Sequence, residues 1–170
     1  MNVSPHPDLA ERSVRHFIAH GVPLACPDKI PEELALKAGV FVSIKVAGAL
    51  RGCIGSITPS KNNVAEEIIH YAVSAATKDP RFSPITGAEL DSLSYSVDVL
   101  SPLEEVDGLA QLDAKVYGVV VKSGNKQGVL LPDLEGIDSA EEQLDICRMK
   151  GQIKDCVAEK IFRFTVKRYK

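Results

Sequence analysis

The chain has 170 residues, 45% of them hydrophobic and 25% charged, with a net charge of −3. That length buries a respectable core, as one domain or as two small subdomains sharing one. The slight acidity, with five phenylalanines, four tyrosines and no tryptophan, argues against a phosphate-backbone binder or a base-stacking platform.

Asp8 caps a helix predicted to run to about His20, with Leu9, Val14, Phe17 and Ile18 on its apolar face and Gly21 past its end. Pro23, Pro27 and Pro31 keep the next segment irregular. Val40, Val42, Ile44 and Val46 then alternate with Phe41, Ser43 and Lys45, the period of a half-buried strand. Ala47-Gly48 turns the chain, and Leu50–Ile57, LRGCIGSI, reads as the returning strand of a hairpin. Asn63 and Glu66 form a capping-box pattern opening a helix to about Thr77. The stretch from Asp79 to Pro84 carries two prolines and is a loop. Leu93, Tyr95, Val97 and Val99 mark another strand. A hairpin is predicted from Val116–Val121 and Gly128–Leu131, a helix over Ala140–Lys150 capped by Ser139 and Glu142, and one last strand over Lys160–Arg168. Gly124 and Gly128 fit hairpin turns. Without a βαβ rhythm the class is α+β, mostly antiparallel.

The N-terminus lacks an apolar signal core, and no apolar run approaches the roughly 20 residues of a membrane span. A cytoplasmic protein with no membrane or nucleic-acid partner is expected. Cys26, Cys53, Cys147 and Cys156 show no CxxC pairing, which fits reduced thiols and no structural zinc.

The stretch LRGCIGS places a thiol between two glycines beside an arginine. Glycine weakens a strand by roughly 0.5–1 kcal/mol relative to alanine, so two in four residues need a reason. Strand alternation puts Leu50, Gly52 and Ile54 on the core face and Arg51, Cys53 and Gly55 on the other. One reading is a ligand approaching bare backbone, with Arg51 holding an anion and Cys53 as nucleophile, since neighbouring positive charge favours thiolate. The other is packing, because free cysteines are often buried and glycines let a helix lie close on a strand. No histidine lies near Cys53 in sequence to act as base; a pair with His70, brought close by folding, is permitted by the sequence and not indicated by it. Arg81 either binds a carboxylate or phosphate or pairs with Asp79, an exposed pair contributing only ~0–1 kcal/mol. His16 and His20 have the i, i+4 spacing of a two-histidine metal face but lack a third ligand, so no metal site is read. Glu104 and Glu105 are neighbours that point apart in extended chain.

These motifs, taken together and in order, resemble the AMMECR-like domain family. They are LRGCIGSI at 50–57, KDPRFSPI with Asp79, Arg81, Phe82 and Pro84, Glu89-Leu90, SVDVLSPLEEV at 96–106 and YGVVVKSGNKQGVLLPDLEG at 117–136. The LLPDLEG segment and the length are similar to its prokaryotic branch, AmmeMemoRadiSam system protein A. The resemblance covers nearly the whole chain and departs at CRMKGQI, leaving Cys147 a packing role. It implies a single domain over 1–170, with two interleaved subdomains flanking a cleft where Arg51, Cys53 and the Asp79–Phe82 loop gather. It also implies association with a Memo-like protein and a radical S-adenosylmethionine protein, and it names neither reaction nor cofactor. The expected site is Cys53 as nucleophile, with Arg51, Gly52, Gly55, Asp79, Arg81 and Phe82 binding ligand. The protein is then an enzyme or small-ligand binder in modification chemistry, or an adaptor whose cleft receives a partner segment.

Overall fold

A computed structural model describes residues 4–154 and 158–170, so Cys156 lies outside the described residues. The chain divides into two compact units, one of residues 1–100 and 167–170 and the other of residues 101–166.

The first unit is built on a sheet with strand order β2-β1-β3-β8. Helix α1 (Pro5–His20) begins earlier than the Asp8 signal, because Pro5 occupies the first turn, where its missing N–H costs nothing. A one-turn helix α2 (Glu32–Ala35) interrupts the segment predicted irregular. Strands β1 (Val40–Val46) and β2 (Ala49–Ser56) form the predicted hairpin, with Ala47 and Gly48 both at positive φ, 48° and 82°. That is the geometry of a tight turn matched to strand twist. Helix α3 (Val64–Thr77) opens where Asn63 Oδ1 accepts the Glu66 N–H at 2.9 Å. The reciprocal bond falls one residue earlier than predicted, on the Asn62 N–H. A 3-10 turn (Gly87–Ser92) leads into β3 (Leu93–Leu100), which pairs antiparallel with β1. Val40, Val42, Ile44 and Val97 meet Val14 of α1 and Val64, Ile68 and Ala72 of α3, all fully buried.

The second unit holds the antiparallel sheet β4-β7-β5-β6. Its strands are β4 (Glu104–Val106), β5 (Gly118–Ser123), β6 (Lys126–Leu130) and β7 (Lys160–Phe164). Helix α4 (Ala140–Lys150) packs on β5 and β6 through Leu144 and Cys147. Gly128 is not a turn residue: a Cβ there would lie inside the Cys147 carbonyl of α4. The last predicted strand is two strands. It breaks at Thr165, and β8 (Val166–Tyr169) joins the first unit's sheet beside β3.

Candidate functional site

The hairpin register decides what the LRGCIGS stretch presents. From the turn outward Val46 pairs with Ala49 and Lys45 with Leu50, but Ile44 pairs with Gly52. Arg51 is therefore an inserted residue, a β-bulge, which re-aims side chains and shifts register by one. This corrects the predicted face assignment. Leu50 shares the outer face with Lys45 and is 39% exposed, whereas Gly52 and Ile54 share the core face with Ile44 and Val42. Cys53 keeps the outer face and stands opposite Ser43, whose hydroxyl donates to Sγ at 3.2 Å.

The glycines make room for protein. A Cβ at Gly52 would sit 2.2 Å from the Ala75 carbonyl oxygen of α3, and one at Gly55 would sit 2.2 Å from the Val40 carbonyl oxygen. Helix and neighbouring strand can approach β2 this closely only because both positions are bare.

β2 is an edge strand, so some of its backbone groups face away from β1. The loop after α3 supplies partners. Asp79 Oδ2 accepts the Cys53 N–H at 2.9 Å, and Arg81 Nη2 donates to the Cys53 carbonyl at 3.5 Å. Arg81 Nε and Nη2 hold the two Asp79 oxygens at 3.0 and 2.8 Å, and the Arg81 N–H adds a third bond. The pair is not the exposed one expected from sequence, since the Asp79 side chain is 2% exposed while that of Arg81 is 56% exposed. Hydrogen bonds from the Arg81 side chain, then from the Cys53 and Arg81 N–H groups, hold the Asp79 pKa far below the usual carboxylate range despite burial. The same pairing raises Arg81. The Arg81 guanidinium carbon also lies 5.5 Å from the Phe82 ring centre, within cation–π range.

Arg51 is committed elsewhere. Its Nε and Nη2 fork onto Glu89 at 2.8 and 3.3 Å, and Nη1 donates to the Ser83 carbonyl at 2.9 Å. That pairing, with Thr86 donating too, lowers the Glu89 pKa to about 2. Cys53, Asp79, Arg81 and Phe82 thus form one network in the first unit, Arg51 forms a second with Glu89 and the Ser83 carbonyl of the same loop, and Gly52 and Gly55 set the strand's position. Sequence reasoning missed Ser43, Ser83 and Glu89. Ser43 lay in the alternating pattern already, but only the bulge brings it opposite Cys53.

Register extends the outer face further. Ser96 of β3 lies opposite Ser43, and Ser94 opposite Lys45, so small polar residues run across three strands from Cys53. They reach a groove of about 310 Å³ lined by Lys45, Ser94, Tyr95, Ser96 and Lys170. The histidines lie elsewhere. His70 lines a separate groove with Cys26, His6 stacks on Tyr169 at 3.6 Å, and the His16 and His20 rings sit 4.6 Å apart on α1. Among the described residues no group of three or more His, Cys, Asp or Glu is placed to hold a metal ion, and no helix is long and apolar enough to cross a membrane.

A model of the AMMECR1 family matches residues 7–169, and therefore spans both units. A Thermotoga maritima protein is 45% identical over 169 residues, covering 98% of this chain and 97% of that protein. A Clostridium acetobutylicum protein is 44% identical over 168 residues, covering 98% of this chain but only 36% of that longer protein. The crystal structure of PH0010, an uncharacterised Pyrococcus horikoshii protein, matches with a TM-score of 0.86 at 31% identity. It covers 96% of this chain and 88% of that one.

Proposed function

The chain belongs to the AMMECR1 family, and from that premise we propose that it is a binding module. Its site is the polar outer face of the first sheet, from Arg81 and Cys53 across Ser43 and Ser96 to Lys45, and it takes an acidic segment of a partner protein. One observation carries the reading: the charges nearest Cys53 neutralise one another in pairs, Arg51 with Glu89 and Arg81 with Asp79. Such a network holds a surface in place without supplying a general base. The lysine-flanked groove, with no acidic side chain among its described lining residues, then supplies positive charge to an incoming carboxylate, and half-exposed Arg81 borders the other end of the face.

A Memo-like protein and a radical S-adenosylmethionine protein are the partners this reading puts forward. The Clostridium protein supports association in general, since there the matched region is joined covalently to a longer chain. A cytoplasmic setting belongs to the same proposal, supported by unpaired thiols at Cys26, Cys53 and Cys147.

The test is titration of the isotope-labelled chain with the Memo-like protein of the same genome. Binding should move the Ser43, Cys53 and Ser96 amide signals, survive Cys53→Ala and weaken at least tenfold in Lys45→Glu. A second reading, Cys53 as a nucleophile, is favoured by its half-buried sulfur, to which the Ser43 hydroxyl donates at 3.2 Å. Under that reading Cys53→Ala abolishes function while leaving association intact, and a stable adduct forms on Cys53.

A further inference from the structure

A second surface in the first unit is independent of the Cys53 face. Along α3, against the segment that follows α1, runs a groove of about 300 Å³, at the lower end of the roughly 300–1,000 Å³ of ligand sites. Its floor is apolar. Phe17 comes from the last turn of α1, Leu24 from the segment beyond, and Ile69 and Val73 from α3. Ile69 and Val73 are only 6% and 8% exposed, so the floor is fixed by core packing.

The rim is cationic. Lys61 is pinned in place, its N–H donating at 2.6 Å to the buried Glu67 carboxylate. Lys78 caps the other end of α3, its N–H donating to the Ser74 carbonyl at 2.8 Å. Neither ammonium has an acidic side chain within salt-bridge distance among the described residues. Glu66, the one carboxylate on the rim, is held by the Asn62 N–H and side-chain amide. Between the lysines lies His70. Burial lowers its pKa most, Lys61 and Lys78 lower it further, and Glu67 opposes them. On the solvent-facing rim two lysines stand against the single carboxylate of Glu66, while the buried Glu67 carboxylate beneath is held by the Ser60 and Lys61 N–H groups, so the two ammonium groups are what the rim offers over the apolar floor. They complement a negative charge on an apolar body.

We propose that this groove binds an amphipathic carboxylate. Its hydrocarbon part lies on Leu24, Ile69 and Val73, and its head is drawn to the rim of Lys61, His70 and Lys78. The experiment is calorimetric titration of the full chain with decanoate, and separately with decyltrimethylammonium, which has the same tail and the opposite charge. Decanoate should bind one-to-one and saturably, with the cationic amphiphile at least tenfold weaker. Lys61→Glu with Lys78→Glu should weaken decanoate at least tenfold, and the milder Lys61→Gln and Lys78→Gln should do so by a smaller factor without touching the floor. Bound decanoate should also raise the His70 pKa seen by NMR and slow alkylation of Cys26, which lines the groove, while leaving Cys53 unaffected. Equal binding of the two amphiphiles, absence of saturation, or an unprotected Cys26 overturns the proposal.

Discussion

Asp79 accepts the main-chain N–H of Cys53 at 2.9 Å, so a loop carboxylate closes the open edge of β2 where another strand would otherwise pair. The loop that carries the family resemblance therefore has an architectural task, independent of any ligand. An unpaired strand edge invites association with other chains, and covering it with a charged loop is one established protection.

Arg81 is the exposed half of that brace and should be needed for stability. Hydrogen bonds to charged groups are worth about 1.5–3 kcal/mol each, and Arg81→Ala should lose an amount in that range in urea melts at pH 7. The pH dependence follows from Asp79. Its folded pKa lies below the unfolded value of about 3.9, so its contribution is complete above that value and is lost as pH falls toward the folded one. The difference between wild type and Arg81→Ala should shrink on acidification below about pH 4. A variant as stable as wild type at pH 7 would show that Arg81 serves only an external ligand.

Gly52→Ala should be among the most damaging single-methyl additions in the chain. The added carbon meets the Ala75 carbonyl oxygen, which is backbone and has no rotamer to change. Overpacking commonly costs roughly 1–3 kcal/mol, and this substitution should reach the top of that range in chemical denaturation. A loss below about 0.5 kcal/mol, ordinary for surface positions, would mean that α3 does not seat against β2 as described.

The thiols should react in a set order. Cys147 is fully buried and its pKa is pushed up to about 11, chiefly by burial. Burial, with Glu66 and Asp28, also raises Cys26. Cys53 is half-buried, with a hydroxyl donor at its sulfur. Among the described thiols, native alkylation at neutral pH, mapped by mass spectrometry, should therefore modify Cys53 first and Cys147 last. Ser43→Ala should slow the Cys53 reaction, and a Cys53 that stays unmodified while Cys26 reacts would remove the nucleophile reading.

His6 gives the first unit a sensitivity to mild acid. It is fully buried, accepts or donates only at Nδ1 toward Ser4 Oγ at 3.1 Å, and stacks on Tyr169. Burial lowers its pKa most, with Glu33 raising it and Lys167 lowering it. The unfolded chain then binds the proton more readily, so stability is complete above about pH 6.5 and falls as pH drops below it. His6→Phe, which keeps the ring stack, should flatten the stability profile between pH 7 and 5. An unchanged profile would assign the acid sensitivity to other groups.

Much of the scaffold was legible from local signals. Caps at Asn63 and Ser139 and the period of Val40 to Val46 mark elements that the structure contains. Two features were not, for definite reasons. Phe162, Phe164 and Val166 alternate without interruption, and a period of two does not reveal that the partner strands change at Thr165. The bulge at Arg51 leaves no mark either, because Leu50 and Ile54 look equivalent until pairing with Lys45 and Val42 separates them. The glycines announced close approach correctly, but sequence does not say whether a ligand or the Ala75 carbonyl comes near.

The membership of β8 in the first sheet has a consequence for biosynthesis. Residues 101–166 of the second unit form one continuous stretch, whereas the first unit needs residues 167–170 for its fourth strand. On the ribosome, where chains emerge N-terminus first and domains fold as units, the second unit can be complete while the first still lacks an edge. Pairing β3 with β8 then closes a very long loop, a slow kind of contact. The first unit is thus finished by a strand translated only after the whole of the second.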